Sequence, residues 1–174
     1  MKYIVKFFVV TFFLLISTYT LAEEKIAVLD MTYALNESKA GKGAQEFLTK
    51  TFNDDLKKFA DIEKSLKKEE QDLLAQKNVL SKEEFENKLK DLRNDISNYQ
   101  KDRNKSSNEI KKSRVNASTK LISKLTPILE EYSKKNSIRI IVQKKNIVMG
   151  KKEDDITKDI LELINQKVKS IKID

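Results

Sequence analysis

The chain has 174 residues, of which 36% are charged, with 35 Lys and Arg against 27 Asp and Glu. It contains no Cys, His or Trp, and only three Gly and one Pro. Because turns draw on Gly and Pro, a charged chain this poor in both is expected to form long helices. The missing His and Cys exclude the usual catalytic triads and ordinary zinc sites. We therefore predict that the protein is not an enzyme and uses no cofactor.

The first 22 residues have the three parts of a secretory signal peptide. Lys2 and Lys6 form a basic start, an apolar segment follows over residues 7–16, and Thr20 and Ala22 supply the small residues before a cleavage site. We predict cleavage after Ala22 and export of the remaining chain. An uncleaved membrane anchor is the alternative, but the apolar segment is shorter than the roughly 20 residues that a spanning helix needs.

Short strands are predicted near both ends of the exported chain. Residues 25–30 and 137–142 have suitable length and many β-branched side chains. A turn or short helix is expected over 31–38, and residues 147–149 are expected to pair with the second strand as a hairpin. Asp154 and Asp155 are predicted to cap a final helix. Because so few strands do not form a stable sheet alone, the sheet must pack against a helix or against other subunits.

About a hundred residues between these strands have helical periodicity. Apolar residues recur every seven positions from Phe52, and a cleaner coiled-coil register begins at Phe85. Ser81 and Glu84 form a capping box, which starts a new helix inside the periodic stretch. The sequence therefore favours an antiparallel hairpin with its tip near 78–82 over a single rod, because only a hairpin returns the two strand regions to each other.

A hairpin centred on Ser81 places symmetric positions opposite each other. Glu63 then faces Tyr99, so the seam between the helices is only partly apolar. Phe59 faces Arg103, which predicts a cation–π layer.

Two interruptions are predicted where this arm meets the rest of the chain. Pro127 lacks an N–H donor, so a kink or a restart capped by Thr126 is expected there. Gly41 and Gly43 are interpreted as a flexible lead into the first long helix, because the surrounding residues lack the pattern of a phosphate-binding loop. The predicted organisation is a signal peptide over 1–22, a small β/α oligomerisation body over 23–43 and 126–174, and a coiled-coil arm over 44–125.

Basic residues are concentrated in the second half of the arm. Residues 44–84 carry 8 bases and 10 acids, whereas residues 85–124 carry 11 bases and 5 acids. We predict a surface that attracts acidic polypeptides or anionic lipid headgroups; an ordinary solvated helix face is the alternative. Nucleic acid is not expected, because Tyr99 is the one aromatic available for stacking along the basic residues. The candidate binding residues are Lys101, Arg103, Lys105, Lys111, Lys112, Arg114, Lys120 and Lys124.

With these features in this order, the chain resembles the Skp/OmpH family of periplasmic chaperones. The resemblance covers essentially the whole chain and rests on the signal peptide, KIAVLDM at 25–31, YQKDRNKSSNE at 99–109, SIRIIV at 137–142 and DITKDI at 155–160. It implies an α+β homotrimer whose strands form an intersubunit β-barrel and whose long antiparallel coiled-coil hairpins surround a cavity. The residues expected in the oligomer strands are Ile26, Val28, Ile138, Ile140 and Val142.

The resemblance also implies a function. Members are ATP-independent holdases that bind unfolded outer-membrane proteins in the cavity and prevent their aggregation. Anionic lipid or lipopolysaccharide is a further expected partner, to which no residue of this chain is assigned by the resemblance. The alternatives are an envelope coiled-coil scaffold and a protein that binds anionic surfaces without chaperone activity.

Overall fold

The computed structural model describes residues 25–173. The predicted signal peptide over 1–22 and its cleavage after Ala22 lie outside the described residues. Strand β1 spans Lys25–Leu29, helix α1 Met31–Glu37, helix α2 Lys39–Ala75, helix α3 Lys82–Lys135, strand β2 Ile138–Gln143 and helix α4 Thr157–Lys167, with 3-10 turns at Lys144–Asn146 and Lys152–Asp154. The protein is therefore mostly helical with a two-stranded sheet. Within the described residues, no helix is long and apolar enough to cross a membrane.

Helices α2 and α3 form an antiparallel arm. The Glu84 backbone N–H donates to the Ser81 side chain, and the Ser81 backbone N–H donates to the Glu84 carboxylate at 3.0 Å. The predicted capping box is thus confirmed, and α3 begins at it. Helix α2 has 37 residues, which corresponds to a length of about 55 Å.

The seam of the arm is sparse in apolar contacts. Phe59 and Leu73 of α2 and Leu92 of α3 are buried along it. The Phe59 ring packs edge-on against Tyr99, with centroids 6.0 Å apart, and the ammonium over the Phe59 ring belongs to Lys58. The predicted Phe59–Arg103 layer was wrong, because Tyr99 occupies that side of the ring and Arg103 donates to the Tyr99 hydroxyl instead.

Helix α3 continues through Pro127, so the predicted restart at this position was wrong, while a kink there stays a prediction. Leu125 and Ile128, on either side of the proline, are 1% and 4% exposed in the core of the body. This packing holds both turns in one helix. Thr126 does not cap a new helix; its hydroxyl donates to the carbonyl of Ile122 at 3.1 Å.

The glycines at the base of the arm are helical rather than a flexible lead. Helix α2 begins at Lys39, and its buried cap, Ser38, accepts a hydrogen bond from the backbone N–H of Gly41 at 3.0 Å. A Cβ at Gly41 would lie 1.9 Å from the carbonyl oxygen of Leu35. Gly41 therefore permits the close approach of α1 to α2. This role depends on how the two helices pack, so it could not be predicted from the local sequence.

The two strands are parallel, with Ile26 opposite Ile140 and Val28 opposite Val142. The predicted hairpin strand over 147–149 was wrong. After β2 the chain enters the 3-10 turn at Lys144–Asn146 and then reaches the far side of β1, where the Ile156 N–H donates to the Val28 carbonyl at 2.9 Å. Residues beyond β2 thus close the second edge of β1 rather than extending β2.

The core of the body lies on one face of this sheet. Ala27 and Leu29 pack with Leu125 from α3 and with Ile160 and Ile164 from α4. Helix α4 begins at Thr157, whose N–H donates to the Asp155 carboxylate at 3.0 Å. The predicted cap by Asp154 and Asp155 was wrong in position: the cap residue is Ile156, Asp154 belongs to the preceding 3-10 turn, and Asp155 only accepts the first helical N–H.

Candidate binding arm and assembly edge

The sheet has an apolar face that the described chain covers only in part. Ile26 and Ile140 are cross-strand partners on the face opposite the core, and they are 56% and 45% exposed. Of the other predicted strand residues, Val28 is buried while Ile138 and Val142 are partly buried. In the described residues β2 pairs with β1 alone, so its outer edge offers main-chain groups for pairing with another strand.

An ion pair holds the segment whose backbone lies beside the opposite edge of the sheet. Lys144 Nζ lies 2.7 Å from Asp155 Oδ2, and Thr157 donates its backbone N–H to the same carboxylate. Partial burial alone would raise the pKa of Asp155, but the hydrogen bonds from Lys144 and Thr157 and the Lys144 charge outweigh it and lower the pKa to about 2. The bridge between Val28 and Asp155 occupies this side of β1, whereas in the described residues β2 has no strand on its outer side.

A polar cluster interrupts the arm seam near its middle. The Tyr99 hydroxyl donates to Glu63 Oε2 at 3.3 Å, and Lys67 Nζ lies 2.9 Å from Glu63 Oε1. The hydrogen bond from Lys67 and its charge, followed by the hydrogen bond from Tyr99, lower the pKa of Glu63. Further towards the body, the Ser106 hydroxyl donates to Asp55. These contacts occupy positions where a dry coiled coil would have apolar pairs.

All eight predicted binding residues lie on α3, but they do not form one patch. They extend over 23 residue steps, or about 35 Å of helix. Arg103 reaches the Tyr99 hydroxyl at 3.5 Å, and Lys120 donates to the carbonyl of Lys172 in the body at 3.0 Å. Lys120 is partly buried, and the other seven are exposed. Whether they bind a partner stays a prediction.

A more coherent basic stripe runs along the face of α3 that points away from α2. Lys90, Lys101 and Lys112 are separated by intervals of 11 residues, about three helical turns. Lys105 lies one turn from Lys101 on the same side. All four side chains are exposed. We call these four residues the basic stripe; Lys90 was missed from the sequence because charge was counted by segment rather than by face.

Large apolar side chains remain exposed along the arm near the body. Phe47, Phe52 and Leu56 of α2 are 52%, 48% and 50% exposed, and Val115 and Ile122 of α3 are 64% and 42% exposed. Phe52 lies one heptad before the buried Phe59, so this end of the seam is only half closed. Phe52 and Leu56 belong to the repeating pattern predicted from the sequence, whereas Phe47, Val115 and Ile122 were not identified; their apolar character outside the seam positions was the available signal.

A cavity of about 270 Å³ lies at the base of the arm between α1, α2 and α3. Its walls include Leu35, Leu48 and Leu121, which are nearly buried. Arg114 from the predicted binding set also lines it. The cavity could not be predicted from the sequence, because its walls come from segments that are some eighty residues apart in the chain.

Comparison with known proteins identifies the family. The family model described as outer membrane protein (OmpH-like) matches residues 25–164. A "Skp-like protein" of Pseudomonas aeruginosa is 28% identical over 170 residues, which cover 95% of this chain and 99% of that protein. A crystal structure assigned as an outer membrane chaperone (OmpH-like) from Caulobacter crescentus CB15 has the same fold, with a TM-score of 0.82 at 14% identity over 91% of this chain and 94% of that one. The resemblance predicted from the sequence is confirmed, and the chain belongs to the OmpH-like, or Skp/OmpH, family.

Proposed function

We propose that this protein is an ATP-independent periplasmic holdase chaperone that binds unfolded outer-membrane proteins and prevents their aggregation. The observation that carries the proposal is the set of half-exposed apolar side chains along an extended arm: Phe47, Phe52, Leu56, Val115 and Ile122. Membership of the OmpH-like family supports a chaperone function. A family with this role also favours the periplasm, in agreement with the signal peptide predicted over 1–22.

Several weak contacts along the arm suit a client that stays unfolded. Each exposed apolar group offers little area, so one contact contributes on the order of 1 kcal/mol. Several such contacts hold an unfolded chain because they act together on one molecule. Each also exchanges quickly, so release requires no ATP.

Assembly into a homotrimer is part of the proposal. An isolated two-stranded sheet is marginal in water, and here its outer face carries the exposed Ile26–Ile140 pair. Pairing of the open β2 edge with further copies would cover these side chains and form an intersubunit β-barrel. Three arms extending from such a barrel would then enclose a cavity for the client.

The charge of α3 would assist capture. Basic groups along this helix attract acidic segments of a client at distances beyond contact, and salt screens that attraction over about 10 Å at 0.1 M ionic strength. We therefore propose the eight bases between Lys101 and Lys124 as a steering surface rather than as a site that recognises one sequence.

Light scattering tests the chaperone proposal. A urea-unfolded outer-membrane protein is diluted into buffer that contains excess mature protein and no ATP. We expect scattering to fall severalfold relative to dilution into buffer alone. A variant with Phe47, Phe52 and Leu56 changed to Ser should protect less, since about half of each of these side chains is exposed and able to contact a client. Scattering that the wild-type protein leaves unchanged would exclude a holdase.

The basic stripe favours a second candidate function, binding of an anionic surface such as lipid or lipopolysaccharide. Lys90, Lys101, Lys105 and Lys112 share one exposed helix face, a row that a flat charged surface can contact simultaneously. Vesicles with 30% phosphatidylglycerol are the test (roughly the charge of an anionic leaflet). If the protein binds anionic surfaces, the wild type should sediment with these vesicles. A variant with all four lysines of the basic stripe changed to Gln should not. Equal sedimentation with uncharged vesicles would contradict it.

A further inference from the structure

We propose that the cavity at the base of the arm binds one segment type of an unfolded client: a bulky apolar side chain followed by an Asp or Glu. The inference rests on the proposed function, because it names the part of a client that the arm anchors. It differs from the weak contacts along the arm in being a preformed cavity with its own chemistry.

The walls of the cavity select an apolar side chain. Leu35, Leu48 and Leu121 are 8%, 7% and 8% exposed, and Ile122, which is 42% exposed, also lines the cavity. Its volume of about 270 Å³ is slightly below the roughly 300 to 1,000 Å³ of most small-molecule sites. The space therefore suits one aromatic or large aliphatic side chain, whereas a helix or a folded surface is too large for it.

The charge of the lining selects a carboxylate. Arg114 is the one charged residue among the described residues that line the cavity; the other polar residues there carry amides or hydroxyls. A guanidinium binds a carboxylate through two parallel hydrogen bonds. A basic ligand would meet a like charge and no acid.

A second donor lies in the same lining. The backbone N–H of Met31 donates to Gln143 Oε1 at 3.2 Å, which orients this amide and leaves its NH₂ group as a donor. Gln143 and Arg114 both line the cavity. The lining thus offers a carboxylate adjacent to the inserted apolar side chain one charged and one neutral donor, and an amide of the same size would not gain the charged contact.

Three fluorescent peptides with both ends blocked test the proposal. They contain Phe-Asp, Phe-Asn or Ser-Asp at the centre of an otherwise identical Gly/Ser sequence, and fluorescence anisotropy measures their binding to the full mature protein. We expect Phe-Asp to bind about tenfold more tightly than Phe-Asn, as one charge-assisted hydrogen bond provides. Phe-Asp should exceed Ser-Asp by a similar factor.

Matched variants assign the preference to the cavity. Arg114→Gln should abolish the difference between Phe-Asp and Phe-Asn. Arg93→Gln changes an exposed arginine of the same helix that does not line the cavity, and it should keep the full difference. Ile122→Ser should weaken both Phe peptides and leave Ser-Asp unchanged, which separates the apolar contact from the charge.

Two results would overturn the inference: equal affinity of wild-type protein for Phe-Asp and Phe-Asn, or equal losses in Arg114→Gln and Arg93→Gln, which would indicate general attraction to a basic helix. The light-scattering assay is run on the same preparations. Suppressed aggregation without a peptide preference defeats the cavity inference alone. A peptide preference without suppression defeats the holdase proposal, and with it the assignment of this cavity to clients.

Discussion

The hydroxyl oxygen of Tyr99 lies 3.3 Å from Glu63 Oε2, which joins the two arm helices at positions symmetric about Ser81. The hydrogen bond from Lys88 Nζ to Gln76 Oε1, at 3.1 Å near the turn, is consistent with nearly the same register. The register of the arm therefore depends on polar contacts as well as on the few buried apolar residues.

This register predicts a specific crosslink. Leu66 and Ile96 are symmetric about Ser81 and both are partly buried. In a chain that has no native cysteine, Leu66→Cys with Ile96→Cys should form an intrachain disulfide on mild oxidation, seen as a faster monomer band on a non-reducing gel. Leu66→Cys with Lys101→Cys is the control, because Lys101 lies on the far face of α3. A disulfide of equal yield in the control would contradict the register.

The Phe59–Tyr99 contact should contribute most to arm stability. Phe59 is 8% exposed and Phe52, one heptad earlier, is 48% exposed. Phe59→Ala should lower the free energy of unfolding by about 3 kcal/mol, as for other buried aromatics, whereas Phe52→Ala should lower it by about 1 kcal/mol or less. Thermal unfolding followed by circular dichroism measures both. Similar losses for the two variants would show that the seam does not bury Phe59 selectively.

The local and non-local parts of the fold differ in how far the sequence predicted them. The capping box at Ser81 and the pairing of Glu63 with Tyr99 follow from residue types and spacing, so the sequence was sufficient for both. The behaviour of Pro127 was not predictable in this way, because the buried contacts of Leu125 and Ile128 on the body override the local preference for a break.

The candidate sites show the same division. The sequence placed Arg114 in the basic set on α3, but its position on the cavity depends on how closely α1 approaches α2. That approach depends on Gly41, whose lack of a Cβ matters only once the Leu35 carbonyl is beside it. Ile26 and Ile140 were likewise predicted only as strand residues. Their pairing and exposure were not predictable, because strand order and direction are set by the packing of the whole body.

The Lys144–Asp155 pair predicts a defined pH dependence. The pKa of Asp155 is lowered from 3.8 to about 2 in the folded chain, so its stabilising contribution is complete above the unfolded value and disappears as the pH falls from 4 to 2. Because Lys144 is half exposed, solvent screens the pair, and we expect it to contribute about 1 to 2 kcal/mol to the free energy of unfolding at pH 7. Asp155→Asn should cost this amount at pH 7 and progressively less below pH 4. A difference from wild type that stays constant down to pH 2, in urea titrations, would contradict the assignment.

The two glycines of α2 predict opposite effects of the same substitution. Gly41→Ala places a Cβ 1.9 Å from the Leu35 carbonyl oxygen, so α1 must move and we expect a loss of stability of about 2 kcal/mol or more. Gly43 has no atom within 4 Å of such a Cβ, so Gly43→Ala should stabilise the helix by up to about 1 kcal/mol. Melting temperatures report both directions. If Gly41→Ala melts at or above the wild-type temperature, the close approach of α1 and α2 is not as described.

Native mass spectrometry of the mature protein mixed with an outer-membrane protein diluted from urea can detect capture of one client by a trimer. We predict a complex of three copies with one client, formed without ATP. We also predict that this complex is lost when Ile26 and Ile140 are both changed to Asp, since the sheet face would no longer be covered by other copies. Client bound to a single copy, or client found only in aggregates beside free protein, would contradict the account.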